Sequence, residues 1–342
     1  MKKAIIKKNI ALIGSGRFIE QTVLPSILAL KDRFNLLQIF NRSGELSARI
    51  RSLTKVTAST NIEQLQNNID IIVISVPQNQ VNMVVSQLLD KHITNKVILL
   101  TTPCGPFLTI KKLKRLNQKN QLFSFEFLPF HPAYNWIKSL LNSGKFGQLK
   151  KVTLFKSGYL YHGLATIRTL VVDHQLKRST LCKHKEINKF TFIFTNNVIG
   201  EMIGKRDYLN GYFTIECSNA VITSNKTSNQ QTDVLFSTEC GQGNLIKSYH
   251  LTSGEHLMIE PLIPQCDAFK AYLKQQPLYK QEFLIASTRY LNALADGRYH
   301  TLHNVSDTLF EHFLIRVTRV VKTSAPVGIP KILQYLCRKL IV

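Results

Sequence analysis

Apolar positions in the first third of this chain alternate between two rhythms. Asn9–Ile13, Leu36–Phe40, Ile69–Ser75, Lys96–Thr101 and Leu122–Phe127 are nearly continuous apolar runs, the pattern of parallel strands buried on both faces. Between them, Gly16–Leu30, Gly44–Leu53, Val81–Leu89 and Thr109–Leu116 carry apolar residues at the three-and-four spacing of amphipathic helices. Val56–Ala58 adds a short strand. Strand and helix in strict alternation predict an α/β fold with a doubly wound parallel sheet.

Further along, the rhythm changes. Pro132–Leu141 and Gly163–Val172 read as helices, with a strand around Val152–Lys156 between them. Phe190–Thr195, Tyr208–Cys217, Ala220–Thr223, Val234–Ser237 and Leu245–Leu251 then follow as strands with no helix interposed, which predicts an open, largely antiparallel sheet. Two helices, Leu278–Leu294 and Val305–Val321, close the chain, and the polar stretch Asn225–Thr232 reads as a surface loop. The organisation expected is a doubly wound dinucleotide-binding-type domain over residues 1–127 and an α+β domain over 128–342.

The first strand runs into Gly14-Ser15-Gly16-Arg17-Phe18. Two glycines between a strand and a helix let the backbone approach a phosphate, and the helix N-terminus behind them carries partial positive charge. Ile19 stands where the third glycine of the dinucleotide fingerprint would fall.

Composition narrows the partners. The 342 residues carry a net charge of +23, which suits an anionic substrate or cofactor. The lysines are scattered, without the interleaved aromatics or recognition helix of a nucleic-acid reader, so nucleic acid is not the expected partner. No apolar run is long enough for a membrane span, and the basic start leads directly into strand one instead of a signal peptide. Six cysteines without a C-x-x-C pair argue against a metal site and for reduced thiols in the cytoplasm.

Several ordered pieces resemble the Gfo/Idh/MocA family of nicotinamide-dependent oxidoreductases. Gly14-Ser-Gly16 with Leu24-Pro25-Ser-Ile-Leu28 is similar to its glycine turn and following helix. Asp70–Pro77 resembles its "DAVVIATP" strand, Lys96–Pro103 its "KHVLVEKP" strand, and Asn142–Val152 its "SGxIGxIxxV" entry to the second sheet. The resemblance implies a Rossmann domain, an open-sheet substrate domain that can form a homodimer, and hydride transfer with a small molecule. It also exposes departures. In the family's Glu-Lys-Pro element the glutamate and lysine positions are Thr101 and Thr102, ahead of Pro103. The family's histidine after the "TP" element falls on Val81. In the D-x-G-x-H-x-x-D signature, taken from Gly163, the first aspartate is Tyr161, the histidine is Ala165 and the last aspartate is Arg168.

If chemistry persists, other side chains carry it. His162 has the pKa range of an acid that protonates a developing oxyanion or amide. Tyr161 and Tyr159 flank it, and Arg168 has the planar fork that binds carboxylate or phosphate. His131 reads as structural, and Glu126 and Asp173 are lesser candidates. The end of strand two reads Asn41-Arg42-Ser43, where NAD-specific sites place an acid. Asparagine tolerates a 2′-phosphate, Arg42 can pair with it and Ser43 can hydrogen-bond it, which favours NADP over NAD. The expected cofactor contacts are Gly14, Gly16, Arg17, Phe18, Asn41, Arg42, Ser43, Pro77, Thr102 and Pro103. Two readings stand: an NADP-dependent oxidoreductase acting on a small polar carbonyl, imine or sugar derivative, and a catalytically silent nucleotide-binding or partner protein on the same fold.

Overall fold

Six parallel strands form the first sheet: β1 (Lys8–Ile13), β2 (Phe34–Phe40), β3 (Ala58–Ser59), β4 (Ile71–Ile74), β5 (Val97–Leu100) and β6 (Gln121–Ser124). Their order is β3-β2-β1-β4-β5-β6, so the winding reverses between β1 and β4. At that reversal the loops after neighbouring strands diverge to opposite faces and leave a crevice at the carboxyl ends. The computed structural model describes residues 6–101, 104–105, 109–157, 160–171, 176–184, 187–225, 233–302, 305, 308 and 327–328. The expected helix over Val305–Val321 lies almost wholly outside them, as does most of Asn225–Thr232.

Helices α1 (Leu24–Ala29), α2 (Ala48–Leu53), α3 (Val81–Asp90) and α4 (Ile110–Asn117) connect these strands. The sheet is buried on both sides, as its apolar runs require: Ile10, Ala11, Leu12, Ile72 and Val73 have no exposed surface. Alternate residues serve opposite cores, with Ile10, Leu12 and Val73 packing in one and Ala11, Ile13 and Ile72 in the other.

The segment before α1 departs from an ordinary helix. Ile19–Val23 forms a π-helical turn. Proline at 25 has no N–H to return to the Gln21 carbonyl, and that carbonyl instead accepts the Tyr272 hydroxyl at 3.3 Å. Ile19, in place of the third fingerprint glycine, is fully buried here and packs with Ile10, Leu12 and Val23.

The second sheet contains β7 (Leu149–Phe155), β8 (Leu176–His184), β9 (Ile187–Phe194), β10 (Ile199–Ile203), β11 (Tyr212–Cys217), β12 (Val221–Thr223), β13 (Asp233–Cys240), β14 (Ile246–Leu251), β15 (His256–Met258) and β16 (Val327–Gly328). Its order is β15-β14-β13-β12-β11-β7-β10-β9-β8-β16. Pairing is antiparallel except for β7 with β10 and β12 with β13. Helices α5 (Pro132–Asn142), α6 (Leu160–Val171), α7 (Asp267–Lys274) and α8 (Leu278–Ala295) complete the main elements. Tyr134, Trp136 and Ile137 of α5 and Leu164 and Ile167 of α6 share a core with Val152, Phe192, Phe194 and Ile215 of the sheet. Gly200 on β10 makes that packing close, since a Cβ there would sit 2.5 Å from Ile167.

Helix α8 joins the two halves. Its Leu284 and Ile285 lie in the second core, while Ala286, Tyr290, Leu291 and Leu294 lie in the first. The Tyr290 hydroxyl donates to the Ser124 carbonyl at 2.9 Å, and Arg33 pairs with Asp296 at 2.5 Å.

Some boundaries differ from the sequence expectation. Tyr208–Cys217 begins as strand only at Tyr212, because the Asp207 carboxylate accepts from the Leu209 and Asn210 amides and closes a turn. Strands β8 and β10 and helix α7 were not signalled. β10 holds Gly200 and Glu201, a poor strand pattern in isolation, and is completed by β7 and β9 on either side. α6 begins at Leu160, so Tyr161 and His162 lie within the helix and not ahead of it.

Candidate functional site

Gly14 sets the geometry of the crevice. It ends β1 at φ +110°, and a Cβ there would lie 2.0 Å from the Ser75 carbonyl oxygen. The turn after β1 and the segment after β4 therefore cross at van der Waals distance. The Gly14 amide donates to the Phe40 carbonyl and the Ser75 amide to the Ile13 carbonyl, both at 2.7 Å. Gly16 is the opposite case: exposed, with nothing within 4 Å of an added Cβ. Its backbone borders open space at the start of the helix, where first-turn N–H groups have no intrahelical acceptor. This is a cradle of the kind a pyrophosphate needs. Arg17, exposed beside it, holds the Gln21 side-chain oxygen at 3.2 Å.

The segment after β2 is organised by Asn41. Its Nδ2 donates to Ser15 Oγ at 2.8 Å and to the Glu45 carbonyl at 2.6 Å. Its Oδ1 accepts the Gly44 amide at 2.7 Å. Asn41 thus ties this loop to the glycine turn. Ser43 is exposed and its hydroxyl caps the Glu45 amide at 3.2 Å. Arg42 is exposed, with no ion pair among the described residues. Pro77 is exposed at the cap of a short 3₁₀ turn that leads into α3. Val81, at the family's histidine position, is buried against Gly105. Thr102, Pro103, Tyr159 and Asp173 lie outside the described residues.

Phe18, the residue after Arg17, is half-buried. Its ring packs on Phe125 and Phe127, with centroids at 6.0 and 6.1 Å. Those two phenylalanines flank Glu126, so the glycine-turn helix and the segment after β6 are in contact. Glu126 is only 1% exposed. One carboxylate oxygen accepts from His162 Nδ1 at 2.6 Å and the other accepts the Leu128 amide at 3.3 Å. His162 projects from α6, and about a fifth of its side chain (21%) is exposed. The structure therefore brings together a histidine of α6 and a buried carboxylate of the segment after β6, between the two phenylalanines that Phe18 packs on.

Tyr161 and Arg168 are placed otherwise. The Tyr161 ring meets His162 edge-on at 4.7 Å but also packs against the second core. Arg168 follows His162 by six residues, which on an α-helix means about 9 Å along the axis and a different face. It is half-buried and stands on the Tyr161 side of α6.

A second buried group lies on the other side of the same segment. His131, 5% exposed, faces Glu282 of α8 at 3.6 Å and Tyr134 at 4.6 Å between centroids. Glu282 also accepts the Tyr249 hydroxyl at 2.8 Å. Burial, reinforced by Glu282, pushes the Tyr134 and Tyr249 phenols well above their ordinary range. Tyr290 is raised likewise, by burial first and then by Cys104 and Glu126. These phenols stay neutral and act as donors and packing surface. No group of three or more metal-ligating side chains occurs among the described residues. No helix among them is long and apolar enough to cross a membrane.

The comparisons with known proteins agree with this architecture. Residues 8–120 match the model of the Gfo/Idh/MocA oxidoreductase family, described as an NAD-binding Rossmann fold. Myo-inositol 2-dehydrogenase from Lactobacillus plantarum superposes with a TM-score of 0.65 at 14% identity, covering 95% of this chain and 100% of that one. GenD2 from gentamicin A biosynthesis, solved with NAD, gives 0.64 at 11% identity over 96% and 98%. A super-repressor mutant of Gal80p from Saccharomyces cerevisiae gives 0.70 at 13% identity over 96% and 100%. No curated protein matches the sequence. Residues 8–120 thus carry the Rossmann domain of the Gfo/Idh/MocA oxidoreductase family, and the chain as a whole shares the fold of these solved structures.

Proposed function

We propose that this protein is an NADP-dependent oxidoreductase that moves a hydride to or from a small polar carbonyl, imine or sugar-like substrate in a biosynthetic pathway of the cytoplasm. The observation that carries the reading is the His162–Glu126 pair, because it supplies a proton donor where the family's lysine, histidine and aspartate positions hold Thr102, Ala165 and Arg168. A bound nicotinamide would supply or accept the hydride.

The chain's own residues do the rest. Gly14, Ser15, Gly16 and Arg17 would hold the pyrophosphate on the helix N-terminus. Asn41 shapes the loop that presents Arg42 and Ser43, and an arginine with no ion pair among the described residues suits a 2′-phosphate. Pro77 borders the crevice after β4, with Thr102 and Pro103 expected after β5. His162 gives its Nε2 proton to the oxygen or nitrogen that gains negative charge as the substrate is reduced, and takes it back in the reverse direction. Tyr161 limits the ring's movement. Arg168 orients an anionic group of the substrate. The outward face of the second sheet serves a homodimer.

The dehydrogenase neighbours, one named for myo-inositol and one solved with NAD, support a polyol- or sugar-like substrate. The likeness to Gal80p, whose solved form is a super-repressor, favours the second reading: a nucleotide-binding partner protein in which the missing lysine marks lost chemistry. Fluorescence titration with NADPH and NADH tests the main reading, which requires NADPH to bind more tightly. Equal affinities remove the 2′-phosphate argument, and binding without turnover over a panel of polyols, sugars and their oxidised forms supports the silent alternative.

A further inference from the structure

We infer that Glu126 is a positioning residue that holds the His162 imidazole aligned, so that this pair replaces the absent lysine as the site's proton source. The inference rests on the oxidoreductase reading and deepens it.

A carboxylate buried to 1% exposure is costly unless it is paired and hydrogen-bonded. Here both oxygens are engaged, one by the Leu128 amide and one by His162 Nδ1. The amide contact fixes the carboxylate on the short segment after β6. The imidazole contact then fixes which ring nitrogen is engaged and turns Nε2 away from the acid. A carboxylate that holds one nitrogen of a histidine sets its tautomer and stabilises its cation, the role an acid plays in a catalytic triad.

Several other ionisable groups on the elements packed around α6 have partners of their own. His131 on the preceding segment faces Glu282. Tyr134 of α5 is stacked edge-on to Phe213 and is held neutral by burial. Lys151 of β7 and Lys189 of β9 reach Glu201 of β10 at 3.4 and 2.6 Å. Tyr161 meets His162 through its ring edge, and Arg168 stands about a turn and a half further along the helix.

The test is ring-nitrogen NMR of the full-length protein with ¹⁵N-labelled histidine, with the His162 signals assigned by their loss in His162→Gln. In Glu126→Gln, which keeps an acceptor for Leu128 and buries no unpaired charge, the His162 Nδ1 signal should move, because that nitrogen loses its carboxylate acceptor. Saturation with NADPH should shift the His162 signals and leave those of His250, on the far strand β14, in place. A His162 Nδ1 signal unchanged in Glu126→Gln overturns the inference even if NADPH binds. His162 signals indifferent to bound NADPH overturn it as well. Failure of NADPH to bind at all, with the Nδ1 change intact, instead removes the oxidoreductase reading.

Discussion

Replacing Gly14 and Gly16 separately divides what the glycine turn does for folding from what it does for binding. Gly14→Ala forces a side chain into a backbone with φ +110° and sets its Cβ 2.0 Å from the Ser75 carbonyl oxygen and 2.8 Å from the carbonyl carbon. The left-handed backbone costs about 1–2 kcal/mol, and overpacking against backbone atoms that cannot rotate away adds about 1–3 kcal/mol. The total, about 2–5 kcal/mol, corresponds to a Tm lowered by about 5–15 °C for a domain of this size. Gly16→Ala meets nothing within 4 Å, so its Tm should stay within about 2 °C. It should still weaken NADPH, because the new methyl occupies the space through which a phosphate approaches the backbone. Circular dichroism melts of both variants, followed by NADPH titration of Gly16→Ala, make the comparison. A Gly14→Ala protein that melts with the wild type, or a Gly16→Ala protein that binds NADPH unchanged, refutes the division of roles.

Other outcomes follow from single contacts. Arg42→Ala should weaken NADPH about 10- to 100-fold, the value of a charge-assisted contact, and leave NADH within about twofold, as read by isothermal titration. Tyr272→Phe removes the donor to the Gln21 carbonyl and should cost about 1 kcal/mol in urea unfolding. Glu239 is held at about 2, below its ordinary 4.5, by hydrogen bonds from Lys247, then Ser248 and His250. Its folded value is depressed, so its contribution is present above pH 4.5 and is lost as pH falls toward 2. Glu239→Gln should therefore lose less stability across that window than the wild type in acid unfolding.

The first domain was legible in the sequence because its period and its burial agree. Ile69–Ser75 reads as a strand buried on both faces, and Ile72 and Val73 have no exposed surface. Asn41-Arg42-Ser43 was recognised at the end of β2, but not the way Asn41 spends both ends of its amide on Ser15, Gly44 and Glu45. The second sheet was legible as a class and less so in detail: Gly200-Glu201 hides β10 from any propensity argument, although β7 and β9 pair on both its sides. Glu126 had little local signal, since its meaning comes from a residue 36 positions away. One clue existed in hindsight: a lone acid amid Phe125, Phe127, Leu128 and Phe130 needs a partner to be buried. Pro25 gave a similar clue to the spare carbonyl of Gln21, but not to the tyrosine that takes it.

A crystal structure with NADPH is the most direct test of the central claim. The account predicts the pyrophosphate over Gly14–Arg17, the 2′-phosphate at Arg42, and a nicotinamide whose C4 leaves room for a substrate atom within about 3–3.5 Å of both C4 and His162 Nε2. A cofactor seated with its nicotinamide out of reach of His162 would contradict it.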